Sequence, residues 1–339
     1  VKARIVANLH KLGGGELSAV TISRMLLSQG WQVTLHPVTV MGPTVVPWAP
    51  RGLELGPPLV EIEDADCDVL IFYGNNAIIG LEPLRPVWTR LAGAAGRCVL
   101  VLNWQIHDAA LPWFVPLWDR VGFLSTGLRD QWVRLTGCRR ASTFVLAPAV
   151  DLEPFKAIQP DYSRIVFARH SKAAKWPKDA ISTVEALAAG CPRARFECMG
   201  MPPKLALRFQ ARFGSRSRLV SEFAEPVPSF LAHGSVFWYT IKPRATEQGP
   251  RVIVEAMAAG LPVIAEAREG MRDRITPETG WLVSSRDEIR RVAAQISKQP
   301  GLLQLKGRAA RERAMTEFRP ERWIGELVGS IQKMAHAAP

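Results

Sequence analysis

The sequence predicts an α/β protein built from two Rossmann-like, doubly wound domains, and three observations lead to that class. Length is the first: 339 residues are long for one hydrophobic core, and two units of roughly 150 residues are the natural division. The second is an alternation, in both halves, of short apolar runs with stretches of helical spacing, the pattern of parallel strands buried on both faces and joined by helices. The third is a break at Ala147-Pro148-Ala149-Val150-Asp151-Leu152-Glu153-Pro154-Phe155, a Pro-containing connection where composition and charge both shift. It separates residues 1–152 from those that follow.

In chain order, Arg4 to Asn8 reads as a buried strand, and the turn Gly13-Gly14-Gly15-Glu16 opens a helix. Ala19, Ile22 and Leu26 recur there at helical spacing, and Gly30 stops the run. Trp31–Leu35, Asp68–Tyr73, Arg97–Leu102 and Val121–Leu124 supply further strands, and Pro37 to Pro58 reads as a loop. After the break come strands at Arg164–Ala168, Arg195–Cys198, Val236–Tyr239 and Pro262–Ala265, with helical runs from Ile181 to Ala189 and from Arg251 to Ala259. Ligands of such folds bind at the carboxyl ends of the strands, so a cleft between two domains is the expected active site. No internal repeat or low-complexity run complicates this order.

Composition narrows the function classes. With 47% hydrophobic and 22% charged residues the chain is an ordinary globular protein rather than a disordered or fibrous one. No apolar stretch is long enough for a membrane span, and Val1 to Val6 leads into a strand pattern without a cleavable signal. Five scattered cysteines, never spaced C-x-x-C, fit neither a disulfide framework nor a zinc site, and a cytoplasmic location is expected. The net charge of +12 is unevenly placed: up to Phe155 there are 13 basic and 13 acidic residues, from Lys156 onward 30 and 18. A positive field in the second half suits a polyanionic ligand such as a diphosphate.

The segment with the most chemistry runs from Glu247-Gln248-Gly249-Pro250-Arg251-Val252 to Ala265. It reads as a polar loop, a helix with Pro250 at its first position, a stop at Gly260 and a strand. The amides of Gly249, Arg251 and Val252, with the positive end of the helix dipole, would make an anion site suited to a pyrophosphate. Glu255, two turns on, is a candidate acceptor for ribose hydroxyls.

This segment resembles the E-x7-E motif of retaining glycosyltransferases of family four, including the continuation Glu255-Ala256-Met257-Ala258-Ala259-Gly260-Leu261-Pro262-Val263-Ile264-Ala265. The resemblance implies a GT-B fold, with 1–152 as the acceptor-binding domain, 153–317 as the nucleotide-sugar domain, and 318–339 as a helix returning to the first. It implies that Glu247 approaches the donor sugar and Glu255 the ribose. Ala168 to Lys175 resembles the segment in which an Arg and a Lys grip the diphosphate, which would be Arg169 and Lys175, doing a divalent metal's work. Trp176 departs from the family pattern, which has Gly after this Lys. Gly13-Gly14-Gly15-Glu16 resembles the G-G-x-E loop, placing Gly14 and Gly15 under the sugar and diphosphate, and Ile106-His107-Asp108 would bring His107 near the donor sugar. Phe318 to Trp323 resembles the start of the returning helix.

The implied reaction moves a sugar with retention from a nucleoside diphosphate donor, UDP or GDP, to a glycan, lipid-linked or small-molecule acceptor, with no tightly bound cofactor and no metal. Asp64-Ala65-Asp66 has the form of a metal-binding D-x-D, but its place in an acidic run reads as a solvated strand entry. Two alternatives stand: a sugar-nucleotide epimerase on the same scaffold, and a nucleic-acid-binding protein using the basic half, with Pro203 to Phe213 as its aromatic-basic stretch. The expectation is no nucleic-acid partner. Membrane attachment through Leu111 to Trp118 is left open by sequence but unsupported by charge.

Overall fold

In a computed structural model, residues 1–9, 14–38, 52–63, 66–74, 82–102, 111–222, 224–242 and 246–335 are described. Gly13, Asp64, Ala65 and His107 lie outside them. The chain divides into two compact units, Val1–Asp151 with Phe318–Pro339, and Leu152–Glu317.

The N-terminal unit holds a seven-stranded sheet in the order β3-β2-β1-β4-β5-β6-β7, every ladder parallel. Its strands are β1 Lys2–Ala7, β2 Gln32–Pro37, β3 Glu54–Leu55, β4 Cys67–Gly74, β5 Ala95–Leu102, β6 Arg120–Phe123 and β7 Thr143–Val145. Alternate residues of the central strands face opposite ways, and each face has its own core. Leu70 and Phe72 pack with Trp88, Phe114, Trp118 and Trp132, while Ile71 and Tyr73 pack with Ile22, Leu26, Trp323 and Leu327. The helix Glu321–Ala335 is thereby integral to this unit, fixed by the Trp323 indole N–H donating to Ala147 O at 2.8 Å. Phe114 and Trp118 are interior, and Trp113, Val115 and Leu117 pack partly buried against the same core. Among the described residues no helix is long and apolar enough to cross one.

The C-terminal unit holds a six-stranded parallel sheet in the order β10-β9-β8-β11-β12-β13. Its strands are β8 Val166–His170, β9 Arg195–Met199, β10 Ser217–Val220, β11 Val236–Tyr239, β12 Val263–Glu266 and β13 Gly280–Val283. Counted from its own first strand, each sheet starts 3-2-1-4-5-6, the doubly wound order whose crevice opens where the direction of winding reverses. In this unit that point lies between β8 and β11. Their ladder ends at Ala168 and Phe237, although both strands run two residues further.

The helices follow from apolar periodicity. Pro203–Phe213 turns Leu205, Phe209 and Phe213 into the core, so the aromatic residues of that basic stretch are committed to packing. Arg251–Ala258 has six consecutive buried residues from Ile253 onward, as a helix covering a sheet must. It ends in a Schellman motif: Gly260 at φ 84° donates to Met257 O, and Leu261 donates to Ala256 O. Arg311 reinforces this end, donating to Ala258 O at 3.2 Å, to Ala259 O at 2.8 Å and to Ile158 O.

Candidate active site

Buried polar residues gather around the strand ends at the winding reversal, among them Arg169, His170, Thr240, Glu247 and Glu255. Glu247 is their centre, only 6% exposed. Its Oε2 accepts from the Lys175 ammonium and, at 2.9 Å, from the Tyr239 hydroxyl. The backbone of Glu247 is held as well: its N–H donates to Glu269 Oε2 at 2.9 Å, and its carbonyl accepts from Gly270 N–H at 3.2 Å. That approach requires glycine, because a Cβ at residue 270 would fall 2.0 Å from Gln248 O. Glu269 itself takes φ 29°, the only positive φ of a non-glycine among the described residues. Such strain persists only where its surroundings enforce it. Lys175 is half exposed, so the pair faces solvent on the lysine side.

Glu255 forms a second group. Its Oε1 accepts from Arg251 Nε at 3.2 Å, one helical turn away. Its Oε2 lies 3.3 Å from His170 Nε2, without the alignment of a hydrogen bond. His170 is buried against Phe230 and Phe237. That burial lowers its pKa, opposed by the neighbouring Glu255, so the ring is neutral at neutral pH.

The helix above the site begins one residue later than the sequence suggests. Pro250 is its N-cap, extended at ψ 91°, and Arg251 is the first helical residue. Ile253 N–H folds back onto Pro250 O, and no side chain caps the helix. The first turn is therefore headed by the amides of Arg251 and Val252, with Gly249 half-buried just ahead. In the N-terminal unit, Gly14 and Gly15 are already the first two residues of the helix Gly14–Ser28 rather than members of a preceding loop.

Arg169, which the resemblance assigns with Lys175 to a diphosphate grip, is 0% exposed. Its guanidinium carbon lies 4.2 Å from the Trp176 ring centroid, 4.7 Å from Trp238 and 5.1 Å from Tyr239. Nη1 donates to Thr240 O at 2.7 Å. The physical reason is strand alternation: residue 169 points to the face of the sheet where Phe167, Trp176 and Trp238 form the core, while His170 points to the face of the Arg251–Ala258 helix. Burial lowers the Arg169 pKa to about 10, leaving it charged.

The structure thus gathers Lys175, Glu247 and Tyr239 in one cluster, and Arg251, Glu255 and His170 in a second, while enclosing Arg169 beneath the first. Tyr239, His170, Glu269 and Gly270 were not anticipated. Tyr239 and His170 were findable as the last residues of central strands, where α/β folds place ligands. Glu269 and Gly270 carried no such signal.

Residues 163–299 match the family model described as glycosyl transferases group 1. That segment contains Lys175, Glu247, Glu255 and all six strands of the C-terminal sheet. No curated protein matches in sequence. Among solved structures, Anabaena HepE in complex with UDP is 18% identical, with a TM-score of 0.75 over 99% of each chain. A glycosyltransferase from Rickettsia africae is 13% identical, with a TM-score of 0.80 over 99% of each. The sucrose-phosphate synthase of Thermosynechococcus elongatus is 16% identical, with a TM-score of 0.73 over 100% of each. At such identities the likeness establishes the fold alone, that of GT-B proteins, with two parallel α/β sheets.

Proposed function

We propose that this chain is a cytoplasmic, retaining glycosyltransferase that moves a sugar from a nucleoside diphosphate to an acceptor hydroxyl without a metal ion. The observation that carries the reading is the Lys175–Glu247–Tyr239 cluster at the strand ends of the segment that matches group 1 glycosyl transferases. HepE, which shares the fold, has been crystallised with UDP-glucose.

In this reading the diphosphate lies at the first turn of the Arg251–Ala258 helix, where amides and dipole favour an anion. Lys175 exchanges Glu247 for a phosphate oxygen, and Glu247 is released to the hydroxyls of the sugar. Glu255 accepts from the ribose. Gly14, Gly15 and His107 are assigned to the sugar and diphosphate on the family pattern alone. The bond from the anomeric carbon to the phosphate oxygen breaks, the acceptor oxygen bonds on the same face, and its proton passes to the departing phosphate. Such a reaction needs positioning and charge stabilisation more than a protein nucleophile. The acceptor is a glycan, a lipid-linked sugar or a small molecule.

The test is a thermal-shift comparison of UDP, GDP, ADP and TDP. Ligand at 100 times its dissociation constant stabilises the folded state by about 2.7 kcal/mol. At least one nucleotide should raise the midpoint, and Glu255→Ala or Lys175→Ala should shrink that rise. No response to any of the four would reject the proposal.

A further inference from the structure

We infer that Arg169 is a positioning residue, the buried cation of an aromatic box that sets Lys175 and Glu247 in place, and that it does not touch the donor's phosphates. The inference rests on the glycosyltransferase reading for its catalytic consequence, though not for its geometry.

Access comes first. The guanidinium is fully enclosed. Nη1 is committed to Thr240 O at 2.7 Å, with Thr240 Oγ1 at 3.4 Å. Nε and Nη2 have no hydrogen-bond partner. They are buried among the faces of Trp176, Trp238 and Tyr239, which take the place of oxygen acceptors. A guanidinium tolerates such a site because it is planar and weakly hydrated, as an ammonium is not. Reaching a phosphate would mean leaving three rings and a carbonyl.

Connectivity is the second argument. Trp176 directly follows Lys175, Tyr239 donates to Glu247, and Thr240 follows Tyr239. Trp238 closes the box edge-on against Trp176, with ring centroids 5.8 Å apart. Of the four residues that Arg169 touches, Trp176 is therefore adjacent in sequence to Lys175 and Tyr239 is bonded to Glu247, while Trp238 and Thr240 flank Tyr239. The third argument is Trp176 itself. It stands where the resembled pattern has glycine, and it is the ring nearest the guanidinium. A glycine there would leave the cation without that wall.

The decisive comparison sets Arg169→Met and Arg169→Lys beside Lys175→Met. Two readouts need no substrate: the rate at which an amine-reactive reagent labels Lys175, followed by peptide mass spectrometry, and the tryptophan emission. Arg169→Met should speed Lys175 labelling several-fold and shift the emission as Trp176 and Trp238 lose their cation, and Arg169→Lys should not restore either. With the nucleotide of largest thermal shift, Arg169→Met should keep the dissociation constant within about threefold of wild type while turnover falls about 100-fold. Lys175→Met should instead weaken nucleotide binding about tenfold or more. Equal losses of nucleotide affinity in Arg169→Met and Lys175→Met, with labelling unchanged, would make Arg169 a phosphate ligand and overturn the inference. Should Arg169→Met fail to fold, Trp176→Phe and Trp176→Gly open the box from the ring side. The glycine variant must then speed labelling more than the phenylalanine variant, and equal rates would equally overturn it. A wild-type chain that binds no nucleotide removes the glycosyltransferase reading, and the labelling result still decides the role of Arg169.

Discussion

The two units share a strand order and differ in what stands at its centre. In the N-terminal sheet, β1 and β4 stay paired through Ala7 and Tyr73, the last residue of β1 and the next-to-last of β4, and Val6, Ala7 and Phe72 there are apolar. In the C-terminal sheet the corresponding strands diverge before their ends, and the positions so released are Arg169, His170, Trp238 and Tyr239. Topology offers a crevice in both sheets. Chemistry depends on which side chains fill the strand ends. Charge in an interior is costly unless satisfied, and at the strand ends of the second unit the buried charges of Arg169 and Glu247 are surrounded by rings, a carbonyl, a hydroxyl and an ammonium.

The largest test of this contrast is Glu247→Ala. It leaves Lys175 and the Tyr239 hydroxyl without their acceptor, and turnover should fall by about 100- to 1,000-fold, as for loss of a fixed polar group in an active site. Steady-state assays with the donor identified by thermal shift would measure it, and near-normal turnover would move the chemistry elsewhere. Tyr239→Phe, which keeps the ring and removes one hydrogen bond, should cost about tenfold, equivalent to roughly 1.4 kcal/mol.

Glycine substitutions come next. Gly270→Ala drives a methyl into Gln248 O, and urea unfolding should show a loss of about 3 kcal/mol, at the upper end of overpacking costs. Gly30→Ala in the N-terminal unit meets open space at φ 79° and should cost about 1–2 kcal/mol, the backbone strain alone. If the two losses were equal, the close approach under Glu247 would not be tight.

The smallest effect is in pH. Burial lowers the pKa of both His36 in the N-terminal unit, against a hydrogen bond to Pro57 O, and His170 in the C-terminal unit, against Glu255. Each stays neutral when folded but takes a proton near its ordinary pKa of about 6.5 when unfolded. Their contribution to stability is thus intact above that pH and declines as pH falls toward the folded values, with a slope of at most about 1.4 kcal/mol per pH unit for each proton. Urea midpoints at pH 7 and pH 5 should converge in His36→Gln and in His170→Gln, each removing its own share. An unchanged pH dependence in both would show that neither ring resists protonation.

The central strands of both sheets were legible because each is buried on both faces and reads as an unbroken apolar run, as in Leu70-Ile71-Phe72 or Val236-Phe237-Trp238-Tyr239. The four strands that the sequence did not announce are β3, β7, β10 and β13, and they are the four sheet edges. Edge strands are short and half exposed: Glu54–Leu55 is solvent-facing, and all four residues of Ser217–Val220 are only partly buried. Their pattern is too weak to stand out from loops. In the site, Glu247 and Glu255 stood out in the sequence beside Gly249 and a helix start, whereas Lys175 was singled out only through the resemblance of Ala168 to Lys175 to the family pattern. The fate of Arg169 was not legible, since it depends on Trp176, Trp238 and Tyr239, which come together only when β8 and β11 lie side by side. Gly270 was hidden for the same reason, its constraint being a carbonyl that reaches it only in the folded chain.

Arg311, at the far end of the Arg251–Ala258 helix, has an electrical consequence for the near end. A helix of eight residues spans about 12 Å, short enough for the partial negative charge at its C-terminus to offset much of the positive one at its first turn. The Arg311 guanidinium sits on that negative pole, bonded to Ala258 O and Ala259 O. With one pole cancelled, the helix acts on an anion at Arg251 and Val252 as a monopole rather than a dipole, and its attraction reaches further into solution. Neutralising residue 311 would weaken that reach, most visibly at low ionic strength, where the screening length exceeds the helix.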